Sequence, residues 1–418
     1  MFEFSHLLVA LACVSVAAGS AMPRGVSTAG AAYFIIDDPA QKVVAVNVES
    51  DGSLGPFARV FDAGGVGERV THVTPPGAPP ILFSPGPDPL FGQGSVRVHQ
   101  EAGILVTINP GSSTVALFKI NPQDPTKLAL VGKPVKSGGE FPSSVTINSK
   151  GTVACVLNGG VINGVSCFDI HPSTGLTAKP NTQRLLNISQ TTPPVGPLGT
   201  VSSITFSADD SKILCVVKGV DANTNGYLAT WAVNHDGSLS KHFVKSFPSN
   251  AGSVPFTIFN IPKTDAYIAV DPSIGFITYN FKNSSSLSAS SITTPIPNQI
   301  LNCWVAYSPK SGNFYIIDPA LSLVNEVHYD AHLKPTLVKQ YPQLPTSDTL
   351  DSNVAVVNNH AYLYVLQPNA TSISVLSVDR PGAATHVQTF NLTSALKSAG
   401  LASWGSTFKE WPISFVIE

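Results

Sequence analysis

One five-residue phrase, apolar side chains alternating with small or polar ones, returns seven times along this chain of 418 residues. It occupies 44–48, 116–120, 166–170, 229–233, 277–281, 325–329 and 374–378. Alternation of this kind has the period of a strand rather than of a helix. Each copy follows a second apolar run, beginning at Tyr33, Ile104, Val153, Ile213, Ala266, Phe314 and Ala361. Gly, Asn, Ser and Pro separate the runs, as in antiparallel hairpins. The clearest unit, 143–176, reads as three strands and the start of a fourth, here A, B, C and D. Four strands recurring at roughly fifty residues predict an all-β fold, a seven-bladed β-propeller.

The two ends of the chain support that reading. The first copy starts at its B strand, near Tyr33, and has no A strand before it, whereas 411–417 at the C-terminus reads as an A strand with no blade of its own. Pairing the two closes blade 1 with the C-terminal strand and removes two edges that would otherwise be open. Residues 22–418 are thus expected to form a single propeller domain, with a short helix near 393–399 leading to the closing strand.

Residues 1–21 read as a secretory signal, an apolar run at 7–18 followed by small residues, with cleavage expected after Ala18 or Ala21. No second apolar segment follows, so no membrane span is expected, and the mature chain is expected outside the cell or at its wall, as a monomer. Four glycosylation sequons, at Asn187, Asn283, Asn369 and Asn391, fit that compartment. Cys155 and Cys167 fall opposite each other in one B–C hairpin and are expected to form a disulfide, with Cys215 and Cys303 left as buried thiols. Charged residues make up 12% of the chain and the net charge is -2, so no nucleic-acid partner is expected.

One link breaks the repeat. Residues 62–94, between blades 1 and 2, form a long insertion carrying Ile81, Leu82, Phe83, Leu90 and Phe91 together with Glu68, Arg69 and His72. Loops this long inside a compact domain are usually functional or disordered. In a propeller the D-to-A and B-to-C connections emerge on one face, and the insertion is expected to fold over the channel mouth there, forming a wall opposite Glu140. His72 and Glu140 are the acid–base candidates, because both sit in irregular links on that face. Glu68, Arg69, Arg97, Asp38, Asp271, Asp318 and Asp351 are the candidate contacts to a small-molecule or carbohydrate ligand. Asp38, Asp271 and Asp318 each precede a proline, and Asp-Pro also initiates turns by bonding its own backbone, which is the simpler account of them. No zinc, serine-hydrolase or nucleotide motif is present, so neither a cofactor nor a metal is expected.

Three blade phrases carry a family resemblance: Phe206-Ser-Ala-Asp-Asp-Ser-Lys-Ile-Leu, Tyr307-Ser-Pro-Lys-Ser-Gly-Asn-Phe-Tyr-Ile and Phe168-Asp-Ile-His-Pro-Ser-Thr-Gly-Leu. In these the chain resembles the lactonase family of seven-bladed propellers, which includes 6-phosphogluconolactonase and the fungal carboxymuconate cyclase; secreted fungal glycoproteins of the cyclase-like type are nearest in style. The resemblance implies a lactonase or cycloisomerase. Members of that family carry Pro-Arg-His leading into an A strand and Asn-Glu at the end of a B strand. Here the corresponding positions read Pro142-Ser143-Ser144, Val254-Pro255-Phe256 and Trp411-Pro412-Ile413, and Asn158 is followed by Gly159. Without those Arg and His residues no catalytic role carries over. A scaffold that has lost the chemistry, a non-catalytic glycoprotein binding carbohydrate, an apolar ligand or a protein, stands beside the enzyme as the alternative.

Overall fold

The seven alternating phrases are the C strands of seven antiparallel sheets arranged in a ring. The computed structural model describes residues 28–36, 40–72, 88–221, 223–250, 253–283, 285–401 and 415–417. The leader 1–21, Asp38 and the apolar Ile81, Leu82 and Phe83 lie outside the described residues. Blade 3 shows the unit: A Pro142–Ile147, B Val153–Asn158, C Gly164–His171 and D Gly175–Ala178, paired in that order. The other A strands of complete blades are Val96–His99, Val201–Phe206, Thr257–Asn260, Trp304–Ser308 and Ser352–Val357.

Blade 1 is built from both ends of the chain. Its B, C and D strands are Thr28–Ile36, Lys42–Glu49 and Leu54–Asp62, and Phe415–Ile417 adds the A strand. The register is Ala32 with Ile417, Tyr33 with Val416 and Phe34 with Phe415. The A strands then touch one another in cyclic order around the ring. The B strand begins five residues earlier than the apolar run at Tyr33 suggests. Gly30, Ala31 and Ala32 carry little strand propensity, but Ala31 and Ala32 are fully buried between neighbours, so packing decides the boundary.

Side chains between blades supply the core. B and C strands are buried on both faces, and large aromatics interlock blades 5 and 6: Phe256 meets Trp304 edge-on at 5.1 Å, Phe259 lies 6.0 Å from Phe314, and Phe276 lies 6.3 Å from Tyr329. A buried carboxylate joins blades 6 and 7. Glu326 accepts from Asn313 Nδ2 at 2.6 Å, from Tyr341 Oη at 2.6 Å and from the Gly382 amide at 3.1 Å. Cys155 and Cys167 are directly opposite in blade 3 and form the disulfide, while Cys215 and Cys303 are buried thiols. The helix is Leu392–Ser398, capped by Asn391, whose side chain accepts from the Thr393 amide at 2.9 Å.

Ring closure generates the first prediction. Deleting residues 415–418 leaves the inner edge of Thr28–Ile36 unpaired and opens the ring. The truncated protein is expected to melt at a lower temperature and to give less folded, soluble protein; unchanged melting and yield would contradict closure by that strand.

Candidate functional site

The axis of the ring is occupied by the chain itself. The last residues of the insertion, 88–94, run inward before the A strand of blade 2, Val96–His99. Gln93 is the centre of that segment. Its amide donates to the Ser202 carbonyl at 2.9 Å, and its own carbonyl accepts from Ser144 Oγ at 2.6 Å. Its side-chain Oε1 accepts from Thr257 Oγ1 at 2.8 Å, while Nε2 donates to Asp351 Oδ1 at 2.6 Å and to the Val305 carbonyl at 3.3 Å. One residue thus bonds to the start of the innermost strand in blades 3, 4, 5, 6 and 7, which only an axial position allows.

The flanking residues explain how the backbone fits there. A side chain at Gly92 would place its Cβ 2.5 Å from the Ser202 carbonyl oxygen, so only glycine passes. Gly94 has φ 92°, which turns the chain into the A strand. Asp88 closes a turn by accepting from the Leu90 and Phe91 amides at 3.3 and 2.7 Å, and Trp304 Nε1 donates to the Gly92 carbonyl at 3.2 Å. Lys218, at the end of the B strand of blade 4, reaches in to hold the Phe91 carbonyl at 2.6 Å, Thr200 Oγ1 at 2.9 Å and the Val201 carbonyl at 3.2 Å. Its ammonium also lies 4.9 Å from the Phe256 ring. Burial pushes the Asp88 carboxyl up and the Lys218 ammonium down, and their mutual attraction opposes both shifts.

The described part of the insertion is tied into the ring at both of its arms. Leu90 is 1% exposed and belongs to the hydrophobic core, and the two arms are tied by the Val70 amide donating to the Pro89 carbonyl at 2.7 Å. The returning arm, 88–94, is part of the packed ring. The sequence signal was a single amide between two glycines, Gly92-Gln93-Gly94, directly before an A strand.

His72 and Glu140 do not touch, but one connection holds both. Thr71–His72 forms a short parallel pairing with Val195–Gly196 in the link between blades 3 and 4, and Thr192 of the same link donates its hydroxyl to Glu140 Oε2. The His72 ring lies 5.8 Å from Phe91, and its Nε2 is buried with no hydrogen-bond partner among the described residues. Glu68 and Arg69 are exposed nearby in the insertion, the Arg69 amide donating to Glu68 Oε1 at 2.9 Å.

The other candidates are drawn into the structure. Asp271 is buried and accepts from the Val254 amide at 2.8 Å, the Ser273 amide at 2.9 Å and Ser273 Oγ at 2.6 Å. Asp318, also buried, accepts from the amides of Ile300 at 2.8 Å and of Leu301 and Leu321 at 3.2 Å. Each ties a B–C turn to the preceding link, the geometry of a turn-initiating aspartate. Asp351 is buried against Gln93, and its charge favours the Arg97 cation, whose burial works the other way. Arg97 is half-buried, with Nε donating to the Val145 carbonyl at 3.4 Å.

Burial lowers the His72 pKa below its ordinary 6.5, so the folded protein holds this ring neutral. Above pH 6.5 both folded and unfolded forms are neutral there and the ring adds no pH dependence; as pH falls from 6.5 through the lower folded value, protonation favours the unfolded chain. Melting temperature is expected to fall over that window, and His72→Phe is expected to flatten the fall. An identical profile in the variant would show that His72 is not buried in this way.

No family model matches the sequence, and neither does any curated protein. Solved structures do match. A candidate 6-phosphogluconolactonase of Bacteroides fragilis superposes with a TM-score of 0.62 at 12% identity, covering 93% of this chain and 98% of its own. The periplasmic gluconolactonase of Pseudomonas aeruginosa gives the same values, 0.62 and 12%, over 93% and 98%. A second candidate 6-phosphogluconolactonase, from Bacteroides uniformis, gives 0.55 at 13% identity over 86% of this chain and 100% of its own. Identity this low speaks to architecture and leaves the chemistry to the site. The chain carries the seven-bladed fold of the lactonase-type propellers, with an axis filled by its own residues 88–94.

Proposed function

We propose that this protein is a secreted, non-catalytic glycoprotein that uses the lactonase-type ring as a rigid scaffold for binding. The observation that carries it is Gln93. With its side chain and backbone bonded across five blades, the channel opening on this face is taken by protein, and a ligand meets the outer part of the face instead. Arg97 is matched by the nearby Asp351 carboxylate, so its charge is not free for an anionic lactone or muconate. The leader at 1–21, the disulfide and four sequons whose asparagines are all exposed support the secreted glycoprotein. Among the described residues no helix is long and apolar enough to cross a membrane.

The binding surface consists of the link 191–200 with His72, Glu140, Glu68 and Arg69 around it. Exposed Val161, Ile162, Val195 and Val220 rise on the same part of the face, so the ligand class is a carbohydrate or small molecule with both apolar and hydroxyl-bearing sides. A second reading, a lactonase or cycloisomerase with His72 as its base, draws on the buried, partnerless Nε2 of a neutral imidazole.

Turnover separates the two. The full-length secreted protein is to be assayed with gluconolactone, 6-phosphogluconolactone and a carboxymuconate. The scaffold reading expects no rate above buffer hydrolysis, together with saturable binding on a carbohydrate and small-molecule panel that is weakened by Glu140→Ala. Turnover that His72→Ala abolishes while binding persists would overturn it in favour of the enzyme.

A further inference from the structure

The outer rim between blades 3 and 4 carries a groove of about 490 Å³, within the size range of clefts that hold ligands, roughly 300–1,000 Å³. One wall is Gln183, Arg184 and Asn187 of blade 3; the other is Lys241, His242 and Phe243 of blade 4. Asn187 is the asparagine of the first sequon, and the backbone around it is held firmly. Arg184–Leu185 pairs with the C strand of blade 3, and Leu186 turns into the core. Buried Asn163 then clamps both sides of Asn187, its carbonyl accepting from the Leu186 amide at 3.2 Å and its Oδ1 from the Ile188 amide at 3.0 Å. Asn187 itself has φ 55°, a left-handed conformation that asparagine tolerates, and is exposed along the groove.

The opposite wall has the chemistry of a sugar-binding face. Phe243 is backed by Trp231 at 5.0 Å and by Tyr227 at 6.3 Å, stacked, so the ring is a rigid apolar platform. Lys241 and His242 are exposed beside it as donors for hydroxyl and acetamido oxygens, and among the described residues no carboxylate lines the groove. The floor is fixed by Arg184, whose Nε donates to the Ser240 carbonyl at 2.7 Å and whose Nη2 donates to the Leu239 carbonyl. The other sequons are placed differently. Asn283 sits in an exposed turn, Asn391 caps a helix, and Asn369 gives its Nδ2 to Asp348.

We propose that the N-glycan attached to Asn187 docks in this groove, its first sugar rings lying against Phe243 and hydrogen-bonded by Lys241 and His242, so that it bridges blades 3 and 4. The inference rests on the glycoprotein reading above. It assigns the groove to the protein's own glycan rather than to an external ligand.

The test is site-resolved enzymatic deglycosylation of the native full-length protein, secreted from a eukaryotic host and followed by mass spectrometry at Asn187 and Asn283. A docked glycan is expected to be released about tenfold more slowly at Asn187, the ratio that a docking free energy of about 1.4 kcal/mol produces. Lys241→Ala with His242→Ala, both exposed and remote from the core, is expected to speed release at Asn187 and leave Asn283 unchanged; Phe243→Ser is expected to go further if it folds. Equal native rates at the two sites, a slow rate indifferent to the double variant, or an empty Asn187 beside occupied sequons would overturn docking alone. Four empty sequons would overturn the glycoprotein reading itself.

Discussion

A propeller has to resolve what fills its axis, where the first residues of seven inner strands converge with polar groups that cannot all pair with one another. Here Gln93 resolves it. A primary amide offers two donors and an acceptor with two lone pairs, and its backbone adds one of each. Those groups reach Ser144, Ser202, Thr257, Val305 and Asp351 on five blades. Buried polar groups left without partners cost more than the bonds are worth singly, so the axis is a place where the structure is either fully satisfied or strained. The glycines on either side, the Asp88 turn and the Lys218 ammonium all serve to bring that one amide to the right place.

The same arrangement shapes what the molecule can do. Similar rings belong to proteins described as gluconolactonases, but a fold of this kind hosts many activities, and the decision lies with the groups that face a ligand. In this chain Asp271 and Asp318, at the ends of B strands, are spent on turns, and Asp351 is spent on Gln93 and Arg97. Among the described residues the groups around the link 191–200 are peripheral to the axis: His72 and Glu140, each fastened to that link, and the exposed Glu68 and Arg69. The rim groove at Asn187 lies at the outer edge between blades 3 and 4, and Asn163, in the same B–C turn as the exposed Val161 and Ile162, ties the backbone around Asn187 to the border of that face.

Much of the ring was legible because the C strands, though buried on both faces, alternate larger apolar side chains with small or polar ones and so carry the period of a strand. The C strands at 44–48 through 374–378 show it seven times, and the orphan strand at the C-terminus completes the count. The start of the first strand at Thr28 was not legible, since Ala31 and Ala32 owe their burial to neighbours from distant parts of the chain. The site was less legible still. His72 and Glu140 were visible as polar residues in irregular links, and the connection between them runs through Thr192 and Gly196, which carry no functional signal. Lys218 follows an unbroken apolar run and looks like an ordinary strand end. Gln93 acts through partners 51 to 258 positions away in sequence, and no local pattern encodes a contact of that range.

The claim that the axis is closed by Gln93 is tested most directly by a double-mutant cycle between Gln93→Ala and Asp351→Ala, read by equilibrium denaturation of the purified protein. Their 2.6 Å hydrogen bond, buried and charge-assisted, predicts a coupling energy of about 1–3 kcal/mol. Additivity of the two substitutions within about 0.5 kcal/mol would mean that the residues do not meet on the axis, and the account of a filled channel would be contradicted.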